Sequence, residues 1–160
     1  MIGVMSDSHD NITQLRKAVS FFKSAGCDLV LHAGDVIAPF AARELAALAC
    51  PVRAVFGNCD GEKQGLELAF EKFGAIKDAP LLFDHGGRRI LLVHYHFSIA
   101  TYASSGKYDI IIYGHTHKPD IRKEGVTLLL NPGEAGGWLT GKSTIATLDP
   151  EKLEARVVPL

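Results

Sequence analysis

The chain has 160 residues, of which 47% are apolar and 22% charged, so we expect one compact domain over residues 1–160. Its formal charge of −1 excludes the broad basic surface that strong nucleic-acid binding needs, and no apolar run reaches the length of a membrane span. The three cysteines have no CxxC spacing, and the amino-terminal residues do not resemble a secretion signal. We therefore predict a cytoplasmic protein with reduced thiols.

Apolar runs alternate with helical patterns in the first half of the chain. The predicted elements are, in chain order, a strand over 2–6, a helix from an N-cap at Asn11 to Gly26, a strand over 28–35, a helix over 40–48, a strand over 52–58 and a helix over 67–73. Strand–helix–strand units of this kind form right-handed crossovers. The three strands should therefore pair in parallel, with helices covering the sheet.

The second half of the chain is richer in strands. It predicts a hairpin over 81–94 with a turn at HGG, a short helix near 98–105, and strands over 109–115, 126–131, 143–149 and 152–158. The last strand alternates in polarity, which suits a solvated edge and leaves edge pairing in a homo-oligomer open. The whole pattern predicts an α/β fold in which two packed sheets have helices outside.

Residues with metal-ligand chemistry stand where five of the predicted strands end. They are Asp7 and His9, Asp35, Asn58, His94, and finally His115 with His117. Each motif alone has an ordinary explanation as a turn or a helix cap, but loops from separate strand ends converge in α/β sheets, and five such ends favour a shared site. Carboxylate, amide and imidazole ligands suit Mn, Fe, Ni or Zn. The sequence therefore predicts a divalent-metal site.

Two further histidines have weaker claims on this site. His32 lies inside a predicted strand and is expected to be a hydrogen-bonded core imidazole. His96 follows His94 by two residues and would line the site if that strand continued.

The order of these motifs resembles a known family. The motifs are Asp7-x-His9, Gly34-Asp35, Gly57-Asn58-x-Asp60, His94 and Gly114-His115-Thr116-His117, followed by NPGE at 131–134. They resemble the calcineurin-like metallophosphoesterases, and in particular the small single-domain prokaryotic phosphodiesterases of that superfamily. The resemblance implies a four-layer metallophosphoesterase sandwich, with two mixed β-sheets flanked by helices.

The resemblance also implies a dinuclear metal site and a reaction. One ion would be held by Asp7, His9, Asp35 and His117, and the second by Asp35, Asn58, His94 and His115, so that Asp35 bridges both. A hydroxide shared by the two ions would hydrolyse a small phosphodiester. Mn²⁺ is the first expectation for both ions, with Ni²⁺, Fe²⁺ or Zn²⁺ as alternatives.

The chain departs from the family pattern at two positions beside the predicted ligands. Cys59 stands where many members have a histidine that donates a proton to the leaving oxygen or steadies the transition state, and a thiol is a weak donor for that work. His96 or water could supply the proton instead. Tyr95 stands where a glycine is common. We predict catalytic roles for Asn58, Cys59, Asp60 and His96, with Asp60 orienting its neighbours.

Three other functions are alternatives to the phosphodiesterase. A phosphomonoesterase or nucleotidase would use the same two ions, and only pocket residues separate the two activities. A non-catalytic scaffold is a second alternative, because the family includes a retromer subunit that serves as a binding platform, but such a scaffold has no need of intact ligand positions. A nuclease is disfavoured by the short chain and the absent basic surface.

Overall fold

Two β-sheets and four α-helices make up the computed structural model, which describes residues 1–160. The strands are β1 Ile2–Met5, β2 Leu29–His32, β3 Val52–Val55, β4 Gly74–Lys77, β5 Leu81–His85, β6 Arg88–Leu92, β7 Ile110–Ile112, β8 Asp120–Glu124, β9 Thr127–Asn131, β10 Thr144–Asp149 and β11 Glu154–Pro159. The helices are α1 Ile12–Ser24, α2 Pro39–Ala42, α3 Lys63–Phe70 and α4 Ile99–Ser104, and a 3₁₀ turn Arg43–Ala47 follows α2. None of these helices has the length and apolar character needed to cross a membrane.

Each sheet contains both parallel and antiparallel strand pairs, as predicted. The first sheet runs β11-β10-β1-β2-β3-β4 and the second runs β5-β6-β7-β9-β8. β1, β2 and β3 pair in parallel, which confirms the predicted parallel pairing, and β6, β7 and β9 form a second parallel set. β5 and β6 form the predicted hairpin, whose turn uses Gly86 and Gly87 at φ of 58° and 72°. β11 is an edge strand, while its pairing in an oligomer stays a prediction.

Three apolar layers hold the two sheets and the helices together. The inner faces of the sheets meet through side chains such as Val4, Leu31, Ile90 and Ile112. Helices α1 to α3 cover the outer face of the first sheet, and α4 covers the outer face of the second. The result is the four-layer sandwich that the resemblance implied.

Helix α1 begins and ends as its sequence predicts. The Asn11 side chain accepts a hydrogen bond from the backbone of Gln14 at 3.3 Å, so it caps the first turn. Gly26 follows the helix at a φ of 65°, a conformation that glycine adopts without strain. The helix buries Leu15 and Phe22 against the first sheet.

The sequence analysis did not predict two of the strands, and two helices have bounds that differ from the predicted ones. β4 has one buried side chain, Ile76, and β8 is a polar edge strand with none, so neither carries the apolar pattern that identifies a strand. The helix predicted over 40–48 is a short α2 and a 3₁₀ turn. The helix predicted over 67–73 begins earlier, at Lys63, and ends at Phe70 because β4 follows at Gly74.

Several predicted strands also extend too far. The strand predicted over 28–35 ends at His32, and the one predicted over 109–115 ends at Ile112. Beyond these ends the chain turns sharply, since Asp35 and His115 have φ of 61° and 67°, which no strand allows. The polar residues therefore lie on loops above the sheets.

Candidate metal centre

The seven predicted ligands follow the carboxyl ends of five parallel strands. Three of these strands, β1, β2 and β3, belong to the first sheet, and two, β6 and β7, belong to the second. Because the two sheets pack face to face with these ends on the same side, loops far apart in sequence meet. The backbone N–H of His115, for example, donates to Asp7 Oδ2 at 3.2 Å across 108 residues.

A first cluster consists of Asp7, His9 and His117. Asp7 Oδ1 lies 3.4 Å from His117 Nε2 and 3.9 Å from His9 Nε2. The two imidazole rings stack with their centroids 5.2 Å apart. All three ligand atoms lie within 4.8 Å of one another, close enough to hold one metal ion.

A second cluster consists of Asn58, His94 and His115. Asn58 Oδ1 lies 2.9 Å from His94 Nε2 and 2.9 Å from His115 Nδ1. The other ring nitrogen of His94, Nδ1, lies 2.8 Å from the carbonyl oxygen of Ala33, which can only accept, so the proton of a neutral His94 belongs on Nδ1. The lone pair on His94 Nε2 then faces the amide oxygen of Asn58. Two electron-rich atoms so placed are suited to share a cation.

Asp35 lies between the two clusters. Its Oδ2 is 3.7 Å from His9 Nε2 in the first cluster and 3.5 Å from His94 Nε2 in the second. Its Oδ1 accepts a hydrogen bond from the backbone N–H of Cys59 at 2.8 Å, which fixes the carboxylate. Asp35 thus faces both clusters, as its predicted bridging role requires, and a carboxylate oxygen of Asp7 also lies within 4.8 Å of a ring nitrogen of His94.

The seven residues fit divalent metal ions. Asp7 Oδ1 and His9 Nε2 are buried without any hydrogen-bond partner, and such orphaned atoms are costly unless something binds them. Ligands bound at about 2.0–2.2 Å from one ion lie roughly 2.9–3.5 Å apart. The separations of 2.9 Å at Asn58 and 3.4 Å between Asp7 and His117 match this spacing. Their role as ligands stays a prediction.

Burial shifts the pKa of two of these groups. Desolvation raises the pKa of Asp7, against the Ser6 hydroxyl and the histidines His94 and His117, which lower it. Desolvation also lowers the pKa of His115, assisted by His94 and His96. Both shifts favour neutral groups in the metal-free protein. The neutral imidazole has a free lone pair for a metal. A bound cation would stabilise the ionised carboxylate of Asp7.

The loops that carry the ligands are tightly bent. Five of the seven predicted ligands have φ between 43° and 67°, in the left-handed region; they are Asp7, His9, Asp35, His115 and His117. Asp is among the residues that tolerate this region best, but each such residue still stores strain that surrounding contacts must hold. Gly57 serves a different purpose, because a Cβ there would collide with the carboxylate of Asp35.

Asp60 holds two of these loops from behind. Its Oδ2 accepts hydrogen bonds from the backbone N–H of Asp35 at 2.9 Å and of Gly57 at 2.7 Å, and its Oδ1 accepts from Ile37 at 2.7 Å. The residue is only 4% exposed. Its carboxylate is fully engaged by these backbone groups, and the orienting role expected for Asp60 stays a prediction.

Sequence reasoning missed Glu134 as a site residue. Its buried carboxylate lies 3.3 Å from His117 Nδ1 and accepts hydrogen bonds from the backbone of Leu139 and Thr140. The contact with His117 is not a hydrogen bond, since His117 Nδ1 has no hydrogen-bond partner. A carboxylate so placed behind a metal-binding histidine can nevertheless accept the ring N–H and orient the ring. In the same segment, Asn131 donates to the carbonyl of Gly114 at 3.0 Å and so anchors the loop before His115. Asn131 and Glu134 both belong to the segment NPGE, which lies at the end of a sixth strand, β9. The prediction of the site could have included this segment.

Cys59 and His96 lie beside the predicted ligands. Cys59 Sγ is within 4.8 Å of ligand atoms of His9 and Asp35, a placement that its predicted catalytic role requires, while the role itself stays a prediction. Burial and the nearby Asp35 raise the pKa of the Cys59 thiol to about 11, so it is protonated at neutral pH. The His96 ring stacks on His115 with centroids 5.6 Å apart, and its Nδ1 is buried without a partner.

His32 lies beneath the site, and its burial should make the folding stability sensitive to acid. Its Nε2 is 2.9 Å from the Ser8 hydroxyl, its Nδ1 accepts from the Gly34 N–H at 3.2 Å, and burial lowers its pKa to about 4. The unfolded chain, with a pKa near 6.5, binds more protons between these values, so stability falls as pH drops from 6.5 towards 4.

Between pH 7.5 and 5, we therefore expect His32 to cost the metal-free protein about 2 kcal/mol of its unfolding free energy. Urea unfolding with a chelator present measures this change. In His32→Gln that part of the pH dependence should disappear, even though the variant starts less stable. An equally steep loss in the variant would show that His32 is not responsible.

Comparisons with known proteins agree with this geometry. The family model of the calcineurin-like phosphoesterase superfamily domain matches residues 1–153 of the predicted 1–160 domain. A phosphodiesterase of Methanocaldococcus jannaschii is 36% identical over 163 residues, covering 99% of this chain and 98% of that protein. The solved structure of an archaeal phosphodiesterase superposes with a TM-score of 0.95 at 35% identity, covering 99% of both chains.

A more distant structure shares the fold alone. Vps29 of Chaetomium thermophilum superposes with a TM-score of 0.70 at 15% identity, covering 99% of this chain and 95% of its own. The family match and the full-length relative at 36% identity carry the assignment. This chain belongs to the calcineurin-like phosphoesterase superfamily, whose enzymes hydrolyse phosphoric ester bonds.

Proposed function

We propose that this protein is a metal-dependent phosphodiesterase that uses two divalent ions. The observation that carries the proposal is the position of Asp35, whose Oδ2 lies 3.7 Å from His9 in one cluster and 3.5 Å from His94 in the other. The full-length relative from Methanocaldococcus jannaschii is itself named a phosphodiesterase. The nitrogen and oxygen donors suit Mn²⁺, Ni²⁺, Fe²⁺ or Zn²⁺, and the family resemblance makes Mn²⁺ the first expectation.

The protein's own residues prepare the site before any ion binds. When bound, divalent ions supply Lewis acidity and lower the pKa of a bound water. The Ala33 carbonyl fixes the His94 tautomer, and Glu134 faces the ring of His117 from behind. Asp60 fixes the backbone at Asp35. These contacts hold the ligand atoms in place so that little reorganisation is needed.

The surroundings of the site favour a diester over a monoester. The carboxylates of Asp7 and Asp35 pair with histidines and with no Lys or Arg. Apolar groups adjoin both clusters instead. Trp138, 64% exposed, donates to the His9 carbonyl at 3.0 Å, and Phe97 lies 5.8 Å from His115 between ring centroids. A diester has two organic arms that such groups can contact.

Elemental analysis followed by a metal add-back assay tests the proposal. The purified protein should contain a transition metal, lose activity with a chelator, and regain it with Mn²⁺ or an alternative ion. Methyl p-nitrophenyl phosphate and p-nitrophenyl phosphate share a leaving group, and we expect a clearly higher kcat/KM for the diester. A higher value for the monoester would favour the phosphomonoesterase, and a protein with no metal and no activity with any ion would exclude both.

Cys59→His should accelerate the hydrolysis of esters with poor leaving groups. A thiol with a pKa of about 11 is a weak acid, whereas an imidazole titrates near neutrality and donates a proton efficiently. We expect turnover of a dialkyl phosphate to rise about a hundredfold relative to a p-nitrophenyl ester, whose leaving group needs no proton. Cys59→Ser is the matched control and should leave this ratio near its wild-type value. An unchanged ratio in Cys59→His would assign proton donation elsewhere, with His96 as the next candidate.

A further inference from the structure

Two exposed aromatic rings lie directly beside the second cluster. Tyr95 is 46% exposed and Phe97 is 72% exposed, in the loop between β6 and α4. The Tyr95 ring centroid is 4.8 Å from that of His115, and the Phe97 centroid is 5.8 Å from it. We call these two side chains the aromatic platform. Their exposure leaves apolar surface in water that a ligand would cover.

Packing holds the aromatic platform in one orientation. The rings of Tyr95 and Phe97 stack with centroids 5.6 Å apart and an interplanar angle of 21°. Phe97 also packs against His96, with centroids 4.4 Å apart, and Tyr95 meets His115 nearly edge-on at 65°. The platform is therefore a preformed surface, and little side-chain freedom remains to be lost when a ligand binds.

The chemistry of the platform suits a flat π-system. Aromatic faces attract other aromatic rings by stacking and cations by their quadrupole. The cation–π contacts of this protein lie elsewhere, with Arg53 over Phe83 and Lys63 over Phe56. The platform thus has no cationic partner within the chain. It touches His115, so a group joined through an ester oxygen to a phosphorus at the centre is within reach of it.

We propose that the aromatic platform binds an aromatic ester arm of the substrate, either an aryl ring or a nucleobase. The proposal rests on the proposed function, since it takes the phosphorus to lie at the predicted metal centre. Phe97 and Tyr95 are then specificity-determining residues. Stacking of a base on such a ring strengthens binding by about 5-fold to 150-fold in other proteins.

Binding of paired ligands that differ only in the aromatic group tests the platform. Calorimetry would compare phenylphosphonate with ethylphosphonate, and thymidine 5′-monophosphate with 2-deoxyribose 5-phosphate, on the protein as purified and after addition of Mn²⁺. The first pair reports an aryl arm and the second a nucleobase. We expect the aromatic member of at least one pair to bind wild-type protein about tenfold more tightly, and Phe97→Ala to remove most of that preference.

Val126→Ala is the matched control. Val126 is 75% exposed but precedes β9, at the end of the second sheet opposite the candidate centre, so its loss should not change any Kd. Equal affinities within both pairs, an absence of binding, or a preference that survives in both Phe97→Ala and Tyr95→Ala would overturn the proposal. So would a change of oligomeric state in Phe97→Ala with the preference intact, which would assign the platform to self-association.

The two proposals fail in different assays. Turnover of bis(p-nitrophenyl) phosphate tests the phosphodiesterase, whereas the binding pairs require no turnover. Active protein without an aromatic preference would overturn only the platform. Protein that binds the aromatic ligands through Phe97 but hydrolyses no ester would overturn only the proposed function.

Discussion

Asp35→Asn should abolish phosphodiester hydrolysis and deplete the bound metal. Asp35 Oδ2 faces His9 and His94 in the two clusters, so an amide at this position would remove a negative charge from both predicted ions at once. We expect kcat/KM to fall by at least about a thousandfold. Steady-state kinetics with added metal and elemental analysis of the same preparation measure the two effects together.

Asp109→Asn is the control for the change of a carboxylate to an amide. The Asp109 side chain accepts a hydrogen bond from the Arg89 backbone at 2.8 Å, and the side-chain oxygen of an asparagine could accept the same bond. Asp109 precedes β7, at the end of the sheet opposite the site. Its activity and metal content should equal those of the wild type. Full turnover by Asp35→Asn with metal still bound would show that Asp35 does not bridge the two clusters.

Asp60→Asn should destabilise the protein and impair the site, even though Asp60 touches no predicted ligand atom. Its carboxylate accepts three backbone N–H groups, from Asp35, Ile37 and Gly57, and an asparagine side chain has one acceptor oxygen in place of two. A buried N–H that loses its acceptor costs about 1–3 kcal/mol. The same bonds hold Ile37 at a φ of 86°, which is strained for a β-branched residue.

We therefore expect the unfolding free energy of metal-free Asp60→Asn to fall by about 3 kcal/mol, as urea titration would measure. Metal content and kcat/KM should fall as well, because the backbone at Asp35 is released. Asp84→Asn is a matched control, since the Asp84 side chain is 79% exposed and its loss should change stability by less than about 0.5 kcal/mol. Wild-type stability and metal content in Asp60→Asn would refute the positioning role.

The strand-end rule predicted which polar side chains the fold brings together, because it depends on local pattern and general topology. A buried strand that ends in a polar residue is visible in one short segment, and parallel strands bring such ends together. The same reasoning stopped one strand too early. Strand β9 ends at Asn131, and the buried Glu134 behind His117 follows directly, but neither was assigned a role.

Other features depend on contacts that the local sequence does not contain. Nothing in GNCD shows that the Asp60 carboxylate accepts N–H groups from a loop about two dozen residues earlier. The polar edge strand β8 forms because β9 offers it a hydrogen-bonding partner, since its own residues lack an apolar face. The proximity of Cys59 to His9 and Asp35 likewise follows from loop packing.

The sequence by itself determined the chemistry available to this protein and the ends of the strands at which it is displayed. It did so because apolar periodicity records burial, and because polar residues at a strand end have no core to enter. Only the tertiary structure decided which atoms meet. Asp35 faces both clusters, and Tyr95 and Phe97 adjoin His115, because two sheets pack with their carboxyl ends on one side, and that packing is a long-range property of the whole core.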